Sequence, residues 1–329
     1  MTVLAFTATA TIGSLRYERN LSEAHVTLAL APGVGSARLV LPRDVPVDAG
    51  PGDDVEVALT GESTDATTVL TGTVHSVRRG LDRTTVLCGD ATAALAAIRT
   101  GATFEQQSAA AIIHVLAGEA DAGTGSIDAD LDLPTYVAHQ GRTALEHVTT
   151  LASWAGCIVA ASADGKLDVV PIPEPPAGTA LRYGREIAEL RVTTPAPQAA
   201  LVVAGNGPAG NASAPDARTQ TTAVVPDGAD GPSATAIRVP APALRTPSAA
   251  SNTSDALAAF NGAARLTATC WLVPELRAGS TVEIADSPND ATGPWLVTRA
   301  EHRVGPGARG TTKLTAVAMS AGGLLGGLL

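Results

Sequence analysis

Apolar and polar residues alternate along most of the first 90 positions of the chain, which is the pattern of half-buried β-strands. The segments EAHVTLAL and DDVEVAL each place alternate apolar residues on one face: Val26, Leu28, Leu30, Val55, Val57 and Leu59. Two further runs, TTVLTGTVHSV and TTVLCGD, flank the short glycine-containing connection RRGLDR and predict a hairpin. This region therefore predicts a small antiparallel barrel or sandwich.

The periodicity changes to that of helices after residue 90. The segments ATAALAAIR, SAAAIIHVLAGEA and RTALEHVTTLASWAG carry apolar residues at helical spacing. In the second segment, Ser108 is placed to cap the helix N-terminus. In the third, Thr143 and Glu146 have the spacing of a capping box, and Gly156 stands where a left-handed C-cap is needed.

Strand signals return after the third helix. The pair Asp164-Gly165 lies between two apolar runs and predicts a hairpin, and PIPEPPAG then marks a boundary. Further strands are predicted at ALVVAG, STVEIAD, PWLVTRAEHRV and TTKLTAVAM. PAPALRTPSAASNTSD predicts a loop, and a helix is predicted at about 254 to 266. No sequence-period repeat is visible, and the coarse order is barrel-like, helical, then barrel-like.

Composition narrows the class of protein. The chain has 329 residues, enough for two or three domains. Of these residues, 45% are hydrophobic but only 3% are aromatic, a composition that favours many short strands. A net charge of −10 without a basic stripe disfavours a nucleic-acid binder. No run of about 18 apolar residues predicts a transmembrane helix, and the N-terminus lacks a secretory signal pattern.

Side chains that could carry chemistry are scattered. The three cysteines stand far apart in apolar contexts and are expected to be buried free thiols: Cys88, Cys157 and Cys270. The six histidines have no accompanying ligand set, so no metal site is predicted. There is no G-x-S-x-G elbow and no carboxylate pair to nominate. The tryptophans stand in apolar elements, where core or interface packing is expected: Trp154, Trp271 and Trp295.

Residues 199 to 210, AALVVAGNGPAG, contain the spacing Gly205-x-Gly207-x-x-Gly210 of a dinucleotide-binding fingerprint. In a true fingerprint the glycines open a helix whose N-terminus receives the pyrophosphate. Here Pro208 interrupts the motif, and the following NASAPDARTQT has no helical periodicity. We interpret the segment as a strand followed by a long exposed loop. A nucleotide-dependent enzyme using these glycines is the alternative function.

The C-terminal GGLLGGLL combines flexible glycines with four leucines: Leu324, Leu325, Leu328 and Leu329. One hypothesis is a frayed tail, the commonest state of chain termini. The other is a docking segment for a partner, because exposed apolar clusters tend to mark contact sites.

Two segments in the middle of the chain, TFEQQSAAAIIHVLAGEA and YVAHQGRTALEHVTTLASWAGCIVAASADGKLDVVP, resemble the phage late control gene D family. That family includes the baseplate hubs of contractile phage tails and the hub part of type VI secretion VgrG spikes. The similar features are a helix that begins near Thr-Phe and Gln-Ser, an extended segment from Tyr136 to Gln140, an amphipathic helix and an Asp-Gly hairpin. LRAGSTVEIADSPNDATGPWLVTRAEHRV is similar to the family's closing pattern, including Val297, Thr298 and His302. The resemblance covers roughly residues 1 to 318.

The resemblance implies a mainly β fold with an α+β insert, in which two tube-like antiparallel β-barrels flank a small helix-containing domain. The expected domains are a first barrel (1–95), a helical insert (96–180), a second barrel with long loops (181–318) and a flexible Gly/Leu tail (319–329). It also implies a structural protein and not an enzyme. The expected assembly is a homotrimer that joins a sixfold tail tube to a threefold spike.

The same resemblance implies the partners. These are a tube protein above, a separate spike protein below, with the leucine tail as a candidate spike contact, and other baseplate proteins. No cofactor, no specific nucleic-acid binding and no stable membrane insertion are expected. We expect the protein in the cytoplasm of the producing cell and then in an injection particle or virion tail. A secreted adhesion or carbohydrate-binding β-protein is a third interpretation, disfavoured because signal sequence and paired cysteines are absent.

Overall fold

The computed structural model describes residues 6–18, 20–61, 65–174, 178–195, 201–205, 221–225, 237–245, 247–258, 263–287, 291–306 and 309–319. These residues form a mainly β structure of antiparallel sheets with four helices. The predicted fold class is therefore confirmed. Buried side chains fall into three clusters, which define a first β-unit, a helical unit and a second β-unit.

The first β-unit consists of seven strands: β1 (Thr7–Ile12), β2 (Leu15–Tyr17), β3 (Glu23–Ala29), β4 (Ser36–Pro42), β5 (Asp54–Thr60), β6 (Ala66–Arg79) and β7 (Arg83–Gly89). Their spatial order is β2-β1-β5-β6-β7-β4-β3. Laid flat, seven strands would be about 29 Å wide. Ile12 on β1 and Val26 on β3 nevertheless belong to one buried cluster. The sheet must therefore curl around a single core, as the alternating sequence pattern predicts.

The helical unit begins directly after the first β-unit. Its first part contains α1 (Ala91–Ala97), β8 (Ala102–Ser108), α2 (Ala109–Glu119), β9 (Thr124–Ile127), β10 (Asp132–Ala138), α3 (Ala144–Trp154), β11 (Cys157–Ala161) and β12 (Leu167–Pro171). Ser108 caps α2, and Thr143 and Glu146 form the predicted capping box of α3. Gly156 has a φ of +74°, which ends α3 as predicted. The Asp-Gly pair joins β11 to β12 as an antiparallel hairpin.

A second, later part of the chain returns to this helical unit. It contains β15 (Leu201–Gly205), β16 (Thr221–Val225), β17 (Ile237–Pro240) and α4 (Pro247–Ala258). Val203, Ala241, Leu244 and Ala250 lie in the same buried cluster as the helices. The expected second barrel (181–318) would include this stretch. Its core residues instead pack on α3 and its neighbours, so the helical unit is built from two separate chain segments.

The helix predicted at about 254 to 266 forms earlier, at Pro247–Ala258, within a stretch predicted as a loop. A proline is tolerated at the first position of a helix because that N–H has no helical partner. Thr253 is fully buried, and its hydroxyl donates to the carbonyl of Trp154 at the end of α3 (2.9 Å). Tertiary packing thus overrides the loop-like composition. The predicted end of that helix, from Arg265 onward, is a strand.

The second β-unit contains β13 (Gly178–Arg182), β14 (Ile187–Thr193), β18 (Arg265–Trp271), β19 (Thr281–Ala285), β20 (Gly293–Gly305) and β21 (Arg309–Ala318). Its strands enclose their own buried cluster, which includes Leu181, Leu266 and Leu314. The strand order is β14-β18-β21-β20, with β19 and β13 continuing from β20. Strand β20 also pairs with β3, so the two β-units form one continuous 13-stranded sheet.

The capping box of α3 gives a first testable prediction. The Thr143→Ala substitution removes the oxygen that accepts the Glu146 N–H (3.2 Å), so we expect the free energy of unfolding to fall by about 1 kcal/mol. Urea unfolding followed by circular dichroism measures this change. The matched control is Thr150→Ala in the same helix, where the hydroxyl only bonds back to the Glu146 carbonyl. Because alanine is the best helix former, the control should not lose stability; equal losses in both variants would contradict the capping role.

Candidate functional site

The two β-units repeat one topology. Strands β1, β3, β4, β5, β6 and β7 occur along the chain in the same order as β13, β14, β18, β19, β20 and β21. Their neighbours in space also correspond, as β3-β4-β7-β6-β5-β1 and β14-β18-β21-β20-β19-β13. The outermost pairs differ, because β1 is antiparallel to β5 whereas β13 is parallel to β19. One chain therefore carries two equivalent β-units.

The correspondence extends to the alignment of individual residues. The ladder between β6 and β7 shifts register between Val74 and Ser76, and the ladder between β20 and β21 shifts between Val297 and Arg299. When these bulges are superposed, the strand pairings place VEVA of β5 on VEIA of β19. The correspondence can be traced from β7 through β4 to β3, and from β21 through β18 to β14. It aligns EAHVT of β3 with ELRVT of β14.

A glycine turn before the fourth matched strand is repeated bond for bond. The Gly52 N–H donates to the carbonyl of Val74, and the Gly279 N–H donates to the carbonyl of Val297, both at 2.8 Å. The valine amides donate back to the residue after each glycine at 2.8 and 2.9 Å. Both glycines have a positive φ, +94° and +88°, which L-residues rarely adopt. Such agreement in detail indicates duplication of one unit within the chain.

The duplication is compatible with the expected absence of a sequence-period repeat. Connections of different lengths separate the matched strands, and the returning part of the helical unit lies between β14 and β18 alone. Matching residues therefore have no constant spacing, which is what a period search detects. The signal that was missed is the pair of short matches, EAHVT with ELRVT and VEVA with VEIA.

The two β-units meet in a seam, which we define as the antiparallel ladder between 24–29 of β3 and 299–304 of β20. The Leu30 N–H extends it by donating to the carbonyl of Thr298 (2.9 Å). Val304 of the second unit lies in the core of the first unit and is only 7% exposed. The seam thus joins the units by backbone bonds and by a shared core.

Charged groups lie on the outer face of the seam. His25 Nε2 is 3.7 Å from Glu301 Oε2, and Glu23 Oε1 accepts from Arg38 at 3.2 Å. Burial lowers the pKa of His25, and the nearby Arg303 lowers it further, while Glu301 opposes both effects. The partly exposed ion pairs contribute little to stability.

Arg277 holds the three units together. Its guanidinium donates to the carbonyl of Val69 in the first β-unit (2.8 Å) and to that of Ala161 in the helical unit (3.2 Å). Burial lowers the pKa of Arg277, and three acidic groups oppose this by favouring the charged form: Asp90, Asp164 and Asp168. Because a buried charge without its partners is costly, these carbonyls fix where the helical unit sits.

Two further bonds reinforce this three-way junction. The Thr71 hydroxyl donates to the carbonyl of Ala163 (2.8 Å), and the Ala31 N–H donates to the carbonyl of Val159 (2.9 Å). The helical unit is therefore hydrogen-bonded to the first β-unit through Thr71 and Ala31 and to the second through Arg277.

His302 anchors the segment that carries Arg277. Its ring nitrogens lie 2.9 Å from the hydroxyl of Thr312 and 3.0 Å from the carbonyl of Leu276. Since the carbonyl can only accept, Nε2 carries the proton and Nδ1 accepts from the hydroxyl. Burial lowers the pKa of His302 to about 4. The histidine that the resemblance singled out is thus a neutral structural residue.

The sequence suggested two candidate sites, the leucine tail and the glycine motif. The leucines of the tail, Leu324, Leu325, Leu328 and Leu329, lie outside the described residues, as do Gly207 and Gly210. Gly205 ends β15, and the chain after it returns as the antiparallel β16, not through a parallel β-strand as a nucleotide fingerprint requires. A side chain at Gly205 would collide with the carbonyl of Leu244, so packing explains this glycine.

The remaining candidates behave as structural groups. All three cysteines are buried, as predicted, and burial raises the pKa of Cys88 and Cys270 to about 12. Trp154 and Trp295 are buried, whereas Trp271 is 54% exposed, so its predicted role in an interface stays a prediction. Within the described ranges, histidine, cysteine and acidic residues form no group of three that could hold a metal ion. No helix in that part of the chain is long and apolar enough to cross a membrane.

Comparison with known proteins gives a consistent picture of the fold. No protein-family model and no curated protein matches the sequence. The structure is similar to a 43 kDa tail protein of prophage MuSo2 from Shewanella oneidensis, with a TM-score of 0.69, 15% identity, and 95% of this chain and 98% of that chain covered. It is similar to a tail protein from Neisseria meningitidis, with a TM-score of 0.71, 14% identity, and 95% and 97% covered.

A third similar structure comes from a secretion system. It is an Escherichia coli component of the type VI secretion system, described as similar to bacteriophage T4 tail proteins, with a TM-score of 0.61 and 12% identity. The alignment covers 95% of this chain and 77% of that chain. The chain therefore has the fold of phage tail proteins and of this secretion component, as the sequence resemblance implied.

His302 gives a prediction for pH dependence. The pKa of His302 is about 6.5 in an unfolded chain and about 4 in the folded protein. Between these values the unfolded chain binds a proton that the folded protein does not. The free energy of unfolding is therefore highest above pH 6.5 and decreases as the pH falls towards 4. We expect a loss of about 3 kcal/mol in the free energy of unfolding over this range. Urea unfolding at several pH values measures it. The His302→Gln variant should lose this component, whereas His114→Gln, on the exposed face of α2, should keep the full pH dependence; a pH dependence unchanged in His302→Gln would contradict the assignment.

Proposed function

We propose that this protein is the baseplate hub of a contractile phage tail or of a phage-derived injection system. In this role it forms a trimer that joins a sixfold tail tube to a threefold spike. The observation that carries the proposal is the duplication of the β-unit within one chain. Three chains with two equivalent units each present six equivalent units to a sixfold partner, while the ring itself keeps threefold symmetry.

The helical unit, unlike the β-unit, is not duplicated among the described residues, and it therefore suits a threefold partner. Its described residues occur once per chain, at 90–174, 201–205, 221–225, 237–245 and 247–258, and the Arg277 junction fixes it against the two β-units. A trimer would therefore carry six β-units but three helical units. One face could then match a sixfold tube through the β-units, while features that occur once per chain match a threefold spike.

The likeness to phage tail proteins supports the same role. The similar structures from Shewanella and Neisseria are tail proteins and correspond over nearly their whole length. In such a role the protein works through its interfaces and not through a reaction. The pairing of β3 with β20 joins the two units into one continuous sheet. Such a rigid connection would suit a protein that holds a tube and a spike in a fixed relative position.

The leucine tail completes the proposal. Leu324, Leu325, Leu328 and Leu329 follow shortly after β21 and would provide apolar contacts for a separate spike protein. Glycine-rich segments behave as adaptable linkers, so the glycines next to the leucine pairs would let each chain of a threefold ring fit the same spike.

The native mass tests the oligomeric state. Light scattering of the purified protein should give three times the chain mass of 32.9 kDa, and negative-stain averages of the same peak should show a ring with a central hole. If the protein forms the ring only against its partners, the trimer should appear on co-expression with the tube and spike proteins. A monomer or dimer under both conditions would refute the hub.

Removal of residues 320–329 tests the tail. The truncated protein should keep its thermal unfolding temperature and its native mass, but should capture less of its spike in a pull-down. A matched control replaces the four glycines of the tail by serine and keeps the leucines: Gly322, Gly323, Gly326 and Gly327. The control should retain the spike. Full capture by the truncated protein would show that the leucines are not the contact.

A further inference from the structure

A cleft of about 300 Å³ lies where the start of the first β-unit meets the second β-unit. One wall is formed by residues 179–181 of β13, and the other by residues 271–273 and Glu275, which lie at and after the end of β18. Trp271 lies on this second wall and is 54% exposed. An exposed tryptophan beside a cleft indicates a binding surface, because the indole ring offers a large apolar area to a partner.

Strand β13, the first wall, has an open edge in the described part of the chain. It pairs only with β19 there, whereas its equivalent β1 pairs with β5 on one side and with β2 on the other. An open strand edge exposes a row of unpaired backbone groups and favours pairing with another strand. The cleft therefore offers backbone hydrogen bonds as well as apolar surface.

The hydrogen bonds around the end of β13 show which backbone groups are open. The Tyr183 N–H donates to the carbonyl of Ala285 at the end of β19 (3.1 Å). The Arg182 N–H points the other way and donates to Glu186 Oε2 (2.9 Å). Because the backbone groups of successive strand residues alternate between the two sides, Ala180 directs its N–H and carbonyl away from β19. A further strand would find these two groups available.

Phe6 fixes the place where the chain reaches the cleft. It lines the cleft and is only 6% exposed. Its side chain packs over Gly310 of β21, where an added Cβ would lie 2.7 Å from the Cβ of Phe6 and 2.8 Å from that of Leu272. Residues 1–5 lie outside the described residues, and Phe6 tethers them to the cleft. Fully extended, residues 2–5 span about 14 Å, enough to follow most of β13.

We propose that residues 2–5 of the same chain add to the open edge of β13 as a further strand and cover Trp271. The segment reads TVLA. Thr2 and Val3 are β-branched and favour a strand, and no proline interrupts the pairing. Leu4 supplies an apolar side chain for contact with Trp271 and Leu272. The second β-unit would then gain the strand that β2 provides in the first.

The charges around the cleft fit an uncharged occupant. Arg185 Nε lies 2.9 Å from Glu186 Oε1, so these two side chains already form an ion pair. The remaining carboxylate of the lining, Glu275, is exposed to water. The side chains of residues 2–5 carry no charge. Binding of this segment would therefore leave no buried charge without a partner.

The tether favours this segment over one from a second copy. A short connection gives an attached segment an effective concentration in the millimolar range, far above that of a second protein molecule. The contact lies within one chain, so it does not depend on the proposed ring.

Acrylamide quenching of tryptophan fluorescence tests whether residues 2–5 cover Trp271. The other two tryptophans, Trp154 and Trp295, are 6% and 3% exposed, so the quencher reaches mainly Trp271. Deletion of residues 2–5 should increase the quenching constant and shift the emission to longer wavelength, because water gains access to the indole ring. Equal quenching of the full-length and shortened proteins would overturn the proposal.

The matched control repeats the deletion in Trp271→Phe protein. Both remaining tryptophans are buried, so the deletion should then leave the quenching unchanged. An increase that persists without Trp271 would come from a loosened fold and would contradict the proposed contact.

Disulfide formation tests the position of the segment. Ala180→Cys is combined in turn with Val3→Cys, Leu4→Cys or Ala5→Cys. Residues opposite each other on neighbouring strands come close enough for a disulfide, and adjacent residues point to the other face. One of the three pairs should therefore oxidise faster than its neighbours and give an intrachain bond, seen as a faster-migrating monomer on a non-reducing gel.

The native cysteines should not compete in this experiment. They are buried, and burial raises the pKa of Cys157 to about 11 and of the other two to about 12. The matched control replaces Ala180→Cys by Val137→Cys, which is 54% exposed but lies in the helical unit and should not cross-link. Covalent dimers in place of the intrachain bond would show binding to a second copy, and equal cross-linking to both positions would show an unbound segment; either result would overturn the proposal.

Discussion

The backbone ladder between β3 and β20 is the interaction on which the rest of the structure depends. It makes one sheet of two curled units, and it closes the open edge of β3 with a strand of the same chain. Val304 places a second-unit side chain in the first core, so the two cores are coupled as well as the sheets. The relative orientation of the units follows from strand pairing, which fixes both distance and direction.

The helical unit is positioned by this joined sheet. Arg277 lies on the connection between β18 and β19, and it reaches the carbonyls of Val69 and Ala161 in the other two units. His302 holds that same connection through the carbonyl of Leu276. A displaced helical unit would leave a buried cation without its acceptors, which is strongly unfavourable. In the proposed ring, three chains would supply six β-units, and this junction would hold one helical unit per chain against them.

Local signals predicted much of the fold. The caps of α2 and α3, the left-handed Gly156 and the Asp-Gly hairpin depend on a few neighbouring residues, and all four were found where predicted. The failures concern contacts between distant residues. The start of α4 depends on Thr253 packing against Trp154, and the duplication depends on strand pairing across unequal loops. For the same reason, no local pattern marked Arg277 as the residue that joins three units.

The central claim is that equivalent units follow one another at equal angles, whether the neighbour belongs to the same chain or to the next. A cryo-EM reconstruction of the ring, calculated without imposed symmetry, tests it most directly. We expect six β-units related by rotations of about 60°, with three helical units, one for each pair of β-units. Two clearly different rotations, within and between chains, or a ring with another number of β-units, would contradict it.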